Sequence, residues 1–230
     1  MTTRIIPSIR SFVPFETFMK NYLFLFIISF ASTVRVACGT KLLILGIILV
    51  VIDQIIKVLV KTNMTLGETI DVIGDWFKLH FVLNEGMAFG MAFGGFWGKA
   101  LLSVFRIILF GALCWWIRGL ARKKDTPVGV LVGLTMITAG AMGNIIDCFF
   151  YGLIWPEVTM PGAPFPFLFG RVVDMFYFPL FDYKLPWMDY PQTFFGAVFN
   201  FADSCVTCGA IYLLLFQYKF FSKEEEKTVK

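Results

Sequence analysis

KLLILGIILVVIDQIIKVLVK, residues 41–61, decides the architecture. Apart from Asp53, Gln54 and Lys57, everything between its flanking lysines is apolar or glycine. Such a run crosses a hydrocarbon layer as a helix, which takes about 20 residues. Asp53 and Lys57 stand four apart, on one helix face, where acid and base neutralise each other. An ionisable group at membrane depth costs on the order of 3 kcal/mol or more, so it is kept by pairing, by burial against polar neighbours or by use. By itself the pair reads equally as a structural ion pair and as part of a site.

Three more apolar segments follow, at about Lys99–Ile117, Val128–Phe150 and Phe194–Phe216. Between the first and second lies a polar, alternating stretch, Thr65 to Phe89. There Ile70, Val72, Ile73, Trp76, Phe77, Leu79, Phe81 and Leu83 predict short strands. The fold class is therefore an all-α membrane protein of four transmembrane helices with a small β element. At 230 residues, 58% hydrophobic and a mean hydropathy of +0.76, the chain has room for one membrane domain and is too apolar for a soluble one. A net charge of +4, with basic residues at span ends, fits membrane topology and argues against a nucleic-acid partner.

Arg4, Arg10, Lys20, Arg35 and Lys41 precede the first span, and Arg118, Arg122, Lys123 and Lys124 join the second to the third. Lys219, Lys223, Lys227 and Lys230 follow the fourth. This bias puts both termini in the cytoplasm, with the strand-rich segment and the loop of about 151–193 outside. That loop is rich in Pro, Phe, Trp and Tyr, a composition suited to a membrane interface. Residues 1–40 are an N-terminal extension resembling a signal-peptide start and core, broken by Arg35. Residues 41–218 form the membrane domain, and 219–230 a charged cytoplasmic tail.

The lone His80 makes no zinc site with any spacing available, and no cofactor or metal is expected. Cys205-x2-Cys208 has redox spacing but lies in a membrane segment without a thioredoxin-like context, so it reads as packing. The remaining candidates are polar residues stranded in apolar sequence. Asn84 and Gly86 lie in a turn signal. Gly140 and Gly143 permit close helix approach, and Asn144 and Asp147, three apart, share one face. Asp174 follows Val172-Val173, and Asp203 has Asn200 one turn before it. Two aspartates near one membrane surface suit acid–base chemistry. Acids spread through the membrane would instead suit a proton- or ion-coupled transporter, and a degenerate pair a non-catalytic assembly protein.

Taken in order, Asp53-x3-Lys57, Asn84-x-Gly86, Gly140-x2-Gly143-Asn144-x2-Asp147, Val172-Val173-Asp174 and Asn200-x-Ala202-Asp203 resemble lipoprotein signal peptidase, also called signal peptidase II. The resemblance runs from about Lys41 to Tyr218. It implies an inner-membrane bacterial aspartyl peptidase with four helices and an extracytoplasmic β-cradle, here about 65–90. Its substrates would be prolipoproteins, cut before the diacylglyceryl-modified cysteine, with membrane lipids as neighbours and the chain working as a monomer. Asp174 and Asp203 become the catalytic pair. Asp53, Lys57, Asn84, Gly86, Asn144, Asp147 and Asn200 take supporting or substrate-contacting roles. Three departures stand out. Cys148 replaces an arginine common in the family, for which Arg171 is the expected substitute. Met87 replaces a customary alanine. The loops Leu153–Gly170 and Met175–Phe195 are long.

Overall fold

The computed structural model describes residues 39–85, 95–185 and 190–222. Gly86 and Met87, nearly all of the N-terminal extension and the end of the charged tail lie outside them. Along the chain come α1 (Gly39–Asn63), β1 (Thr69–Ile73), β2 (Phe77–Asn84), α2 (Gly95–Arg122) and α3 (Val128–Ile146). A π-helical turn, Asp147–Tyr151, continues α3, and β3 (Val172–Tyr177), β4 (Phe181–Tyr183), β5 (Gln192–Phe194) and α4 (Phe201–Phe216) complete it.

Three helical stretches are long and apolar enough to cross a membrane, Thr40–Asn63, Trp97–Arg122 and Val128–Ile154. Helix α1 is built inside out. Ile44, Ile48, Ile52, Ile55 and Leu59 form an exposed apolar stripe, while Asp53, Gln54 and Lys57 are buried. In water this would be unstable; against lipid the apolar stripe is already solvated, and the polar face must turn inward. Helix α3 is the central element, with its apolar window mostly buried against the other three helices. It can be approached closely because of its glycines. A Cβ on Gly140 would strike the Ala202 carbonyl, and one on Gly143 would strike the Asp53 carboxylate.

The fourth segment differs from expectation. Phe194 ends β5, and α4 begins only at Phe201, because Asn200 caps it: the Asp203 N–H donates to Asn200 Oδ1 at 2.9 Å. Asp203 is therefore in the first turn of α4, not deep within a helix. The expected strands between residues 65 and 89 are present as the β1–β2 hairpin, closed by a turn with Gly74 at φ +51°. The loop after α3 holds more than the sequence promised. Its β3 adds to β2, giving an antiparallel β1-β2-β3 sheet, and β4 pairs with β5 in a second hairpin.

Two apolar clusters tie the ends of the bundle. One joins Val50, Val60, Met142, Ile146 and Tyr151 to Phe81 of β2 and Val173 and Met175 of β3. The other joins Leu42 to Ile117, Leu120, Val130, Leu134 and Leu213. The sheet thus sits on the end of the bundle where α1 and α3 finish and α2 and α4 start.

Candidate active site

Polar side chains meet at that end. Lys57 is fully buried and has three acceptors for its three protons. Asp53 Oδ2 and Asp147 Oδ2 are each 2.9 Å away, and Asn144 Oδ1 is also at 2.9 Å. Asp53 turns its other oxygen to the Ala202 N–H at 2.8 Å, fastening α1 to the start of α4. Asp147 Oδ2 accepts the Val173 N–H of β3 at 3.3 Å. Gln54, which the sequence reading passed over, donates to Asp53, to Asp147 and to the Gly143 carbonyl, and accepts from the Tyr151 hydroxyl at 3.1 Å. Among the described residues no buried side-chain nitrogen or oxygen lacks a partner. That satisfaction is what makes such a cluster tolerable away from water.

This frame dictates how two asparagines point. Lys57 takes the Asn144 oxygen, so the Asn144 NH₂ faces Asp203 Oδ1, at 2.8 Å. The cap of α4 takes the Asn200 oxygen, so the Asn200 NH₂ faces Asp174 Oδ1 at 2.6 Å and Asn144 Oδ1 at 3.1 Å. From β2, Asn84 donates to Asp174 Oδ2 at 2.9 Å. The register explains that reach. Asn84 lies across from Val172 and so on the same sheet face as Asp174, two residues on. Asp203 Oδ2 also accepts the Asn200 backbone N–H at 3.3 Å, completing a reciprocal cap.

Asp174 and Asp203 thus come from different elements and are linked through the paired amides of Asn200 and Asn144. Burial, then the negative charge of Asp203 beside it, push the Asp174 carboxyl from its ordinary 3.8 up to about 7, against the pull of the Asn84 and Asn200 donors. An acid poised near neutrality beside a second carboxylate is equipped to hold and return a proton.

Of the residues singled out in the sequence, Asp53, Lys57, Asn84, Asn144, Asp147, Asp174, Asn200 and Asp203 all meet in this network. Arg171 does not. It precedes β3 and turns to the neighbouring turn, where its guanidinium donates to the Glu157 and Val158 carbonyls at 2.8 and 3.3 Å. The cations near Cys148 come instead from α2: Arg106 Nη1 and Lys99 Nζ lie 3.2 and 3.5 Å from its sulfur. The sequence had shown Lys99 only as the polar start of a span.

The signal peptidase (SPase) II family model matches residues 45–219. The lipoprotein signal peptidase of Porphyromonas gingivalis is 42% identical over 194 residues, covering 79% of this chain and 84% of its own. That of Amoebophilus asiaticus is 37% identical over 177 residues, covering 74% and 75%. That of Lactiplantibacillus plantarum is 31% identical over 173 residues, covering 75% and 91%. In fold the chain is similar to a bacterial membrane enzyme solved by the in meso method, with a TM-score of 0.54 at 22% identity over 80% of this chain and 91% of that one. The matched stretch takes in most of α1, all of α2, α3 and α4, the five strands and every residue of the network around Asp174 and Asp203, and the chain belongs to the signal peptidase II family.

Proposed function

We propose that Asp174 and Asp203 are the carboxylates with which this lipoprotein signal peptidase cuts the signal peptide from prolipoproteins, before the diacylglyceryl-modified cysteine. The observation that carries the reading is the way the two acids are held. Each accepts an amide whose direction is fixed from behind, by Lys57 for Asn144 and by the cap of α4 for Asn200. Two neighbouring carboxylates do not both ionise cheaply, so they share a proton. Asp174, pushed up to about 7, is suited to hold it. Asp203 sits at a helix N-terminus, where negative charge is favoured.

Asp203 takes a proton from water as the water oxygen bonds to the scissile carbonyl carbon. Asp174 gives its proton to the carbonyl oxygen, forming a neutral tetrahedral intermediate. Asp203 then returns its proton to the leaving nitrogen as the C–N bond breaks, and the departing hydroxyl proton restores Asp174. Asp53, Lys57, Asp147 and Gln54 stay out of the chemistry and hold the amides in place. With α4 as a short fourth span, the basic residues at the opposite end of the bundle support an extracytoplasmic position for this end. There β1, β2 and β3 form the cradle and the substrate's acyl chains remain in lipid. The acids gather in one network rather than along a path through the bundle, so no observation favours a relay for transport.

The test is cleavage of a diacylglyceryl-modified prolipoprotein by purified protein in detergent. Asn is nearly isosteric with Asp but neither accepts the water proton nor holds the shared one. Asp174→Asn and Asp203→Asn should each slow cleavage at least about 10²-fold, and the double variant should be scarcely slower. Near-normal cleavage by either single variant, at matched folded protein, would remove the assignment.

A further inference from the structure

We propose that Lys99 is a positioning residue of this site: from α2 it holds the carbonyl next to Asn84, and so the amide that Asn84 presents to Asp174. The proposal rests on Asp174 being a reacting carboxylate. Lys99 lies near the start of a span, where a lysine ordinarily extends its stem toward water. This one does the opposite. It is 4% exposed, and its ammonium donates to the Glu85 carbonyl at 2.8 Å and contacts Cys148 Sγ at 3.5 Å. Among the described residues no carboxylate forms an ion pair with it.

Position makes the carbonyl informative. The β2–β3 pairing ends at Asn84 opposite Val172, so the Glu85 carbonyl lies just past the sheet ladder. Lys99 supplies the donor that the ladder no longer provides, one peptide from the side chain bonded to Asp174. Its other contact, Cys148, follows Asp147, the residue that Lys57 and the Val173 N–H hold. One ammonium therefore joins α2 to both walls of the site, β2 and the end of α3.

The negative charge of Asp147 lessens the cost of burying a cation there. With one shared proton, Asp53, Asp147, Asp174 and Asp203 carry three negative charges, of which Lys57 offsets one. Lys99 and, two turns along the same face of α2, Arg106 both reach the Cys148 sulfur, next to Asp147.

Steady-state cleavage of a diacylglyceryl-modified prolipoprotein separates placement from folding. Lys99→Met keeps the stem but loses charge and donor. It should lower kcat at least about 10-fold with KM within about 3-fold, the pattern of a misplaced reacting group. Lys99→Arg restores a charged donor and should recover most of that loss. If Lys99→Met yields no folded protein, Lys99→Gln, uncharged and shorter but polar, is held to the same criterion. A kcat unchanged by loss of the ammonium, or a loss that arginine does not relieve, would overturn the proposal. Asp174→Asn runs alongside: were it to cleave normally, the aspartyl reading itself would fail, whereas an inactive Asp174→Asn beside an unaffected Lys99→Met would sink the role of Lys99 alone.

Discussion

Each of the three ammonium protons of Lys57 has its own acceptor, so this one residue ties Asp53, Asp147 and Asn144 together. Lys57→Met would leave Asp53 and Asp147 buried side by side without their cation, a loss of about 3–5 kcal/mol. Asp53→Asn should cost less, because Asp147 still pairs the ammonium; denaturation in detergent should rank them so. Asp174 gives a pH signature of its own. Its folded carboxyl holds a proton up to about 7, whereas an ordinary one releases it near 3.8. Stability from this group is therefore complete below the lower value and lost as pH rises to the higher. Relative to Asp174→Asn, the native protein should lose melting temperature steadily from pH 4 to 7. On the proposed mechanism cleavage should fall as pH rises past about 7, as Asp174 loses its proton. A melting difference that does not change with pH would contradict this. At this scale the sequence was legible where a polar residue interrupts an apolar run, as at Asp53, Asn144 and Asp203. Gln54 is hidden beside Asp53, and Lys99 is indistinguishable from a span-end lysine until its burial is known.

Helices were legible as elements and their ends were not. Apolar length located α1, α2 and α3, but α4 starts where Asn200 and Asp203 cap each other, and hydrophobicity carries no trace of that. In the same way Val172–Tyr177 reads as the edge of a loop, because β3 becomes a strand only by pairing with β2, distant in sequence. The glycines of α3 were read correctly as sites of close approach. The structure adds that Gly143 lies against the site itself, between the Asp53 carboxylate and the Ala202 methyl. Gly143→Val should force α3 away from α1 and α4 and disturb Asn144 next to it. Overpacking of this kind costs about 1–3 kcal/mol, and activity should fall further than stability alone explains. Val at Gly111 meets open space and should be nearly neutral in the same assays. Equal effects at the two positions would mean that the contact at Gly143 is not what fixes the site.

At the scale of the molecule, the two apolar clusters fix an up-and-down order without reference to a membrane. The start of α1, the end of α2, the start of α3 and the end of α4 share one cluster, at Leu42, Ile117, Leu120, Val130 and Leu213. The opposite end carries Lys57, Asp147, Asp174, Asp203 and the sheet. Which end faces the cytoplasm is then a question of charge. Arg118 and Arg122 at the end of α2 and Lys123 and Lys124 in the turn to α3 lie at the end that carries the Leu42 cluster, and lysines populate the tail after α4. Basic residues in short loops are retained on the cytoplasmic side, and this supports the proposed orientation, with that end inward and the carboxylates outward. The proposed orientation would put the site on the side to which a prolipoprotein is delivered. Reporter fusions test it directly. Fusions at Lys124 and Lys230 should report the cytoplasm; those at Asp71, in β1, and Asp182, in β4, the outside. Asp182 is outside only if α3 crosses completely, and Lys230 is cytoplasmic only if α4, with its sixteen residues, also spans. An outside signal at Lys124 would invert the bundle. A cytoplasmic signal at Asp182 would leave the site on the wrong face for its substrate.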